Sequence, residues 1–237
     1  KENNFLGNGI QLDTNFSVST ETFRGKFSVN NPNFQNTDKS LHTSFEAIET
    51  DNLSTNGYKT KKTGLSVGTR FEYLDDLFLG FGNSNFYETI TTNSTASERQ
   101  KAQAGNYWDT FVNLDLNYDK RNQKFQTTSG FRTYYSLDLP LISDTNTIKN
   151  YYSQSHYFDL FEDNVSSISF YLEFANSLNN KDVKLSERIR IPSKRLRGFE
   201  SGRVGPKDGK DFVGGNYAYS LNFSSTIPQF FQESQNV

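Results

Sequence analysis

Apolar and polar residues alternate with a period of two along most of this chain. Near the start, Ile10, Leu12 and Phe16 share one face of such a stretch, and Gln11 and Asp13 share the other. Because successive side chains of a strand point to opposite faces, the pattern predicts β-strands. About ten strands are expected, near residues 10–18, 23–30, 41–47, 65–73, 77–81, 112–119, 131–139, 151–161, 168–174 and 217–223.

The two faces of the predicted strands differ in chemistry. One face is consistently aromatic or aliphatic, whereas the other carries arginine, lysine and carboxylate side chains. A transmembrane β-barrel has this arrangement, since its outer wall meets lipid while its interior stays polar. The residues expected to face outward are Ile10, Leu12, Phe16, Phe27, Val67, Leu114, Leu116, Phe170 and Leu172.

Connection lengths distinguish a barrel from a soluble β-sandwich, whose strands also alternate. After the first hairpin, short connections near 31–39, 75–76, 120–128 and 162–165 alternate with long ones near 50–61, 89–107, 140–150 and 176–213. Short periplasmic turns and long external loops are typical of outer-membrane barrels. The chain is therefore predicted to be all-β, an antiparallel transmembrane β-barrel domain over residues 1–237.

The composition agrees with a barrel and argues against a membrane helix and a nucleic-acid partner. Only 33 % of the 237 residues are hydrophobic, yet 15 % are aromatic, as expected when alternate residues face lipid. No run approaches the ~18 apolar residues of a membrane helix. The net charge is −2 and the basic residues are scattered, so no nucleic-acid partner is expected. Lys1-Glu2-Asn3 does not have the features of a signal peptide. We therefore expect a piece of a longer chain rather than a chain from which an export signal was removed.

Catalytic and metal-binding patterns are not found in the sequence. It has no cysteine, and its two histidines, His42 and His156, lie in different predicted strands. There is no Gly-x-Ser-x-Gly nucleophile elbow, and residues 205–211 have the wrong spacing for a phosphate loop. Inward-facing carboxylates such as Asp115 are normal in a barrel lumen. We expect no enzyme, no metal and no cofactor.

One long connection, residues 195–215, carries a distinctive motif. It contains Leu196-Arg197-Gly198-Phe199-Glu200, and five glycines and Pro206 exclude a helix and disfavour a strand. The connection then passes through Gly205-Pro206-Lys207 and Gly214-Gly215-Asn216 before alternation resumes at Tyr217.

These motifs, in this order, resemble the barrel of the BamA-type outer-membrane assembly factors, the bacterial surface antigen family. Weaker matches are Asn4–Gly9, Val29–Phe34 and the turn around Tyr118–Gly130, where Gln126 replaces the family's proline. The resemblance runs from about Asn3 to about Gln235. It implies that the Arg-Gly-Phe loop folds from the extracellular side into the lumen.

The resemblance also implies that Arg197 binds a carboxylate on the barrel wall, with Phe199 packed beside it. The first strand after the loop carries Asn222 where relatives have an acid. An amide oxygen accepts a hydrogen bond without neutralising the charge, so the acceptor stays open among Asn222, Asp115, Asp138 and Glu173. Replacing Arg197 is expected to do more harm than replacing Arg195 or Arg203, which are expected to be exposed. A solvated loop arginine is the alternative.

Completeness and function follow from the same resemblance. The family barrel has about sixteen strands, so ten imply an incomplete barrel with two unpaired edges. The implied function is an insertase that folds and inserts other proteins into the bacterial outer membrane. Its implied partners are membrane lipid, nascent outer-membrane proteins and, through periplasmic domains absent here, accessory lipoproteins. A two-partner secretion pore is the alternative, since it shares the lumen-folded loop, and a passive porin fits less well.

Overall fold

The computed structural model describes residues 1–5, 7–161, 164–200 and 202–226. Part of the predicted connection at 162–165 and the end of the predicted domain lie outside these ranges. The strands, in chain order, are β1 (Glu2–Phe5), β2 (Ile10–Val18), β3 (Thr22–Asn31), β4 (Ser40–Asn52), β5 (Tyr58–Leu74), β6 (Leu77–Thr92), β7 (Gly105–Asp119), β8 (Gly130–Ser143), β9 (Thr147–Phe158), β10 (Ser166–Ser177), β11 (Lys207–Asp208), β12 (Asp211–Phe212) and β13 (Tyr217–Ser225).

Eleven of these strands form one antiparallel sheet in which neighbours in sequence are neighbours in space. The order runs from β1 through β10 and ends at β13, while β11 and β12 pair separately as a small hairpin. Within the described residues, β1 and β13 are not paired to each other, so the sheet is an open part of a barrel. This confirms the predicted fold class, with one strand more than the ten expected because β1 pairs with β2 at the edge.

Register places apolar side chains of neighbouring strands opposite one another on one face of the sheet. Phe27 lies opposite Phe45, and Phe45 lies opposite Leu65. Farther along, Leu114 lies opposite Leu137. Polar residues interrupt this face, as where Asn85 lies opposite Leu65. None of the nine residues predicted to face outward is buried, so the outer face is largely apolar, as lipid contact requires.

The loops are shorter than the sequence indicates, because the strands continue past the apolar stretches. The connections expected at 50–61 and 140–150 shrink to 53–57 and 144–146. At the end of the β4–β5 hairpin, Lys59 Nζ lies 3.3 Å from Asp51 Oδ2, and Lys61 Nζ lies 3.2 Å from Glu49 Oε2. Polar cross-strand pairs thus extend the hairpin beyond the lipid-facing segment.

The connections between strands lie at two opposite ends of the sheet, called here the turn side and the loop side. The turn side holds residues 32–39, the two-residue turn Asp75-Asp76, residues 120–129 and the β9–β10 connection. The loop side holds residues 93–104, with the one-turn helix α1 (Glu98–Lys101), and residues 178–216, called here the inward-folded loop. No helix in the described part of the chain is long and apolar enough to cross a membrane.

Candidate functional site at the inward-folded loop

The inward-folded loop lies on the polar face of the sheet and contributes to both clusters of buried hydrophobic residues in the described part of the chain. Val183 and Ile189 of the loop pack with Tyr171 and Ala175 of β10, and Ala218 of β13 joins them. A second cluster joins Leu185 and Val213 of the loop to Tyr58 of β5 and Ile90 of β6. The loop therefore crosses the inner wall from β10 and β13 back to β5 and β6.

A buried lysine fixes the first half of the loop to the wall. Lys184 has a side chain 2 % exposed, and its Nζ lies 2.8 Å from Glu88 Oε2 of β6. It also bonds the carboxylate of Asp109 of β7, and it lies 3.8 Å from Glu187 Oε1. The ring of Tyr107 is 5.1 Å away. One cation thus joins the loop to two strands of the wall.

The carboxylates around Lys184 have further hydrogen bonds. Ser186 Oγ donates to Glu88 Oε2 at 2.9 Å, and Thr145 Oγ1 donates to Asp109 Oδ1 at 3.2 Å. Burial by itself would lower the pKa of Lys184, but the surrounding carboxylates outweigh it and raise that pKa. Lys184 is therefore charged at neutral pH, and its network satisfies what a buried ion pair requires.

Sequence reasoning did not find Lys184. It lies between two apolar residues, Val183 and Leu185, and no motif surrounds it. A lysine flanked by residues that become buried is a usable signal, since its charge then needs a partner. Nothing in the sequence points to Glu88 and Asp109 as those partners.

A backbone contact closes the loop where it returns to the sheet. The N–H groups of Ile189 and Gly215 each donate to the other residue's carbonyl oxygen, at 2.7 and 2.9 Å. Gly214 has φ of +77°, and a Cβ there would lie 2.9 Å from the carbonyl oxygen of Ile189. The carbonyl of Asn216 then accepts from the N–H of Ala175, which leads the chain into β13. Gly214, Gly215 and Asn216 are thus the return to the sheet.

Gly205, Pro206 and Lys207 lead into the β11–β12 hairpin rather than onto the wall. The carbonyl of Pro206 accepts from the N–H of Val213 at 3.1 Å. Lys207 Nζ lies 4.4 Å from the centre of the Phe212 ring. The hairpin also contacts residues 93–104, since Ser97 Oγ donates to the carboxylate of Asp208.

Residues 93–104 hold the loop from outside. Arg99 makes a bidentate bond to Asp182, at 2.6 and 2.7 Å. Gln103 Oε1 accepts from the N–H of Leu185 at 2.9 Å. The pKa of Asp182 is lowered, chiefly by its hydrogen bond to Arg99. This second connection was not expected to take part in the site.

The predicted motif itself is the exposed part of the loop. Arg197, Gly198 and Glu200 are exposed, Leu196 is partly buried, and Phe199 is 60 % exposed instead of packed on the wall. Among the described residues, the Arg197 side chain has no hydrogen bond or ion pair. The expected wall contact of Arg197 is therefore not seen.

Arg195, which was expected to be exposed, is the arginine that contacts the wall. Its guanidinium lies 5.4 Å from the centre of the Tyr171 ring. Asn222 Nδ2 donates to the carbonyl oxygen of Arg195 at 2.8 Å. Arg195 ends the tight turn Ser193–Arg195, and residues 197–200 after it are exposed.

The other candidate acceptors have different neighbours. Asp138 accepts from Asn113 Nδ2 at 2.7 Å, and Glu173 accepts from the hydroxyl of Tyr171. Asp115 lies against Gly80, in a separate cleft on the wall. Of the four candidates, Asn222 alone is seen to contact the loop, and it contacts residue 195.

Comparison with known proteins identifies the class. The model of the Omp85 superfamily domain matches residues 4–237, so the chain belongs to the Omp85 superfamily. It is therefore an incomplete outer-membrane β-barrel of that superfamily.

Two similar proteins add detail to the assignment to this superfamily. The chain is 27 % identical to a SAM50-like protein of Schizosaccharomyces pombe, over 95 % of the chain and 49 % of that protein. The crystal structure of BamA from Haemophilus ducreyi lacking POTRA domains 1–3 superposes with a TM-score of 0.86 at 22 % identity. That match covers 98 % of the chain and 50 % of BamA, so the fold is shared and the chain spans about half the length of both relatives.

Proposed function

We propose that this chain is part of an insertase that folds and inserts other β-barrel proteins into a bacterial outer membrane. The observation that carries the proposal is a loop fixed across the inner wall of an Omp85 barrel by Lys184, Glu88 and Asp109. The likeness to a BamA barrel over nearly the whole chain supports the barrel fold that the proposal requires.

The chemistry of the two faces suits this role. The largely apolar outer face contacts lipid, and the polar inner face with its loop limits free passage through the lumen. No covalent step is part of the proposal. Its partners are membrane lipid, unfolded outer-membrane proteins and, through parts of the protein outside this chain, accessory lipoproteins.

A depletion experiment on the full-length protein tests the proposal. When expression is shut off, several unrelated outer-membrane barrels should lose their folded, heat-modifiable form before growth stops. Re-expression of the full-length protein should restore them.

The secretion pore predicts a different result in the same experiment. Outer-membrane barrels would keep their folded form, and one exported protein would instead accumulate inside the cell. That outcome would overturn the insertase proposal.

A further inference from the structure

A cleft of about 240 Å³ lies between the tip of the inward-folded loop and the wall, toward the turn side. The tip contributes Lys194 and Arg195, and the start of β8 contributes Arg132. Arg121 closes the cleft from residues 120–129. Its remaining lining residues all carry hydroxyl groups: Tyr134, Tyr151, Ser153, Ser155 and Tyr157.

Of the four cations that line this cleft, Arg121 alone has an ion pair among the described residues. Arg121 is neutralised by Asp119 through bonds of 2.7 and 2.8 Å. Arg132 lies opposite Asp119 in register, but its Nε donates to the amide oxygen of Asn117 at 2.8 Å and it makes no ion pair with that carboxylate. Within the described ranges, neither Lys194 nor Arg195 has a carboxylate within ion-pair distance. Three cations therefore surround one small polar space.

The buried part of the same loop contains a cation whose charge is neutralised by the protein's own carboxylates. Lys184 has carboxylates from Glu88, Asp109 and Glu187 around it. Three like charges held together by a fold repel one another, and this arrangement becomes favourable when an oxyanion enters. Guanidinium groups suit carboxylate or phosphate oxygens because they donate in a planar fork.

The hydroxyl groups indicate the form of the anion. Ser153, Ser155 and Tyr157 are alternate residues of β9, so they repeat every ~6.6 Å along the wall. An extended polypeptide presents alternate side chains at the same spacing. Two acidic side chains separated by one residue would therefore match the hydroxyls and cations of the wall.

We propose that this cleft binds carboxylates of an extended acidic segment of an unfolded polypeptide. The identity of the ligand as polypeptide rests on the proposed function, whereas the preference for an oxyanion rests on the charges of the cleft alone. Binding would place the segment against β8 and β9, beside the tip of the inward-folded loop.

The test uses purified full-length protein in detergent micelles and a fluorescent peptide with aspartate at alternate positions. Binding is read by fluorescence anisotropy, and a matched peptide with asparagine at those positions is the control. Arg132→Gln with Lys194→Gln removes two cleft cations, and Lys181→Gln with Lys210→Gln removes two exposed cations elsewhere. The cleft variant should bind the aspartate peptide at least about tenfold more weakly, since two charge-assisted bonds are lost.

The remaining outcomes oppose the proposal. Equal weakening in both double variants would mean general charge attraction, and equal binding of both peptides would exclude carboxylate recognition. Binding of inorganic phosphate without the peptide would indicate an adventitious ion only. Absence of any binding would mean that groups of the protein itself neutralise the cations of the cleft. Because no assembly is measured, each result is independent of the test of insertase function.

Discussion

The two halves of the inward-folded loop use opposite strategies. Residues 183–191 are largely buried, and their one buried cation is surrounded by carboxylates of the wall. Residues 195–203, which hold the recognisable Arg-Gly-Phe motif, are mostly exposed. Arg203 pairs with Glu200 within this segment, whereas Arg195 and Arg197 have no ion pair among the described residues. The difference shows that attachment and recognisable sequence are separate properties of this loop. Residues 183–191, which carry no motif, fix the position of the loop on the wall. Residues 195–203, which carry the motif, remain available to bind another molecule.

The strongest way to break this comparison is Lys184→Met. Removing the ammonium leaves three carboxylates buried together, which costs roughly 3–5 kcal/mol of loop attachment. A protease added to the full-length protein should then cleave the loop much faster than in wild type. The exposed Lys181→Met is the matched control and should leave cleavage unchanged.

A double variant separates charge from packing at the same place. Lys184→Met with Glu88→Gln removes one of the uncompensated carboxylates, so it should recover part of the protection lost in Lys184→Met. If Lys184→Met were cleaved at the wild-type rate, the loop would not depend on this cluster.

Gly214→Ala tests the backbone contact that closes the buried half. Its φ of +77° is unfavourable for alanine, and the new Cβ would lie 2.9 Å from the Ile189 carbonyl. Destabilisation of about 1–3 kcal/mol is expected in thermal unfolding. Gly209→Ala has a similar φ of +61° with nothing within 4 Å, so it isolates backbone strain from the contact. Equal effects of both variants would show that the clash contributes nothing.

Arg195→Ala and Arg197→Ala compare the two arginines within the exposed half. Loss of the contact with Tyr171 should weaken loop attachment by roughly 0.5–1 kcal/mol, whereas Arg197→Ala should change it by less than about 0.5 kcal/mol. Protease protection at equal expression measures both. If depletion–rescue growth nevertheless depends more on Arg197 than on Arg195 or Arg203, the motif arginine acts after the loop is in place.

A small effect is also expected for Asp182→Asn, which removes the outer bond to Arg99. Both side chains are exposed, so the loss is less than about 1 kcal/mol. Because Arg99 lowers the pKa of Asp182, the bond stabilises the protein above the ordinary carboxyl pKa of about 3.9 and is lost as pH falls through the lowered value. Thermal unfolding should therefore separate Asp182→Asn from wild type at pH 7 and not below that lowered pKa. Asp38→Asn, an exposed carboxylate on the turn side, is the control.

The sequence predicts the outer face well and the inner site poorly, for a physical reason. Lipid contact imposes a local pattern, so residues such as Phe27 and Leu114 reveal their strands directly. The length of β6 was missed, because Gly82, Asn83, Ser84 and Asn85 interrupt the apolar alternation although the strand continues to Thr92. The Lys184 cluster depends on contacts across the fold, since Asp109 precedes Lys184 by 75 residues.

The contact between Ile189 and Gly215 also bears on how this loop can change in evolution. It closes residues 190–214 into a ring whose base is held by backbone hydrogen bonds, so the base requires a glycine at 214 and does not otherwise depend on which side chains the ring contains. Lengthening such a closed segment costs little, about 0.6 kcal/mol for each doubling. Insertions and deletions near the hairpin should therefore be tolerated while the base and Lys184 keep their places. The segment between Ile189 and Gly215 can therefore change in length and sequence while the loop stays attached to the wall.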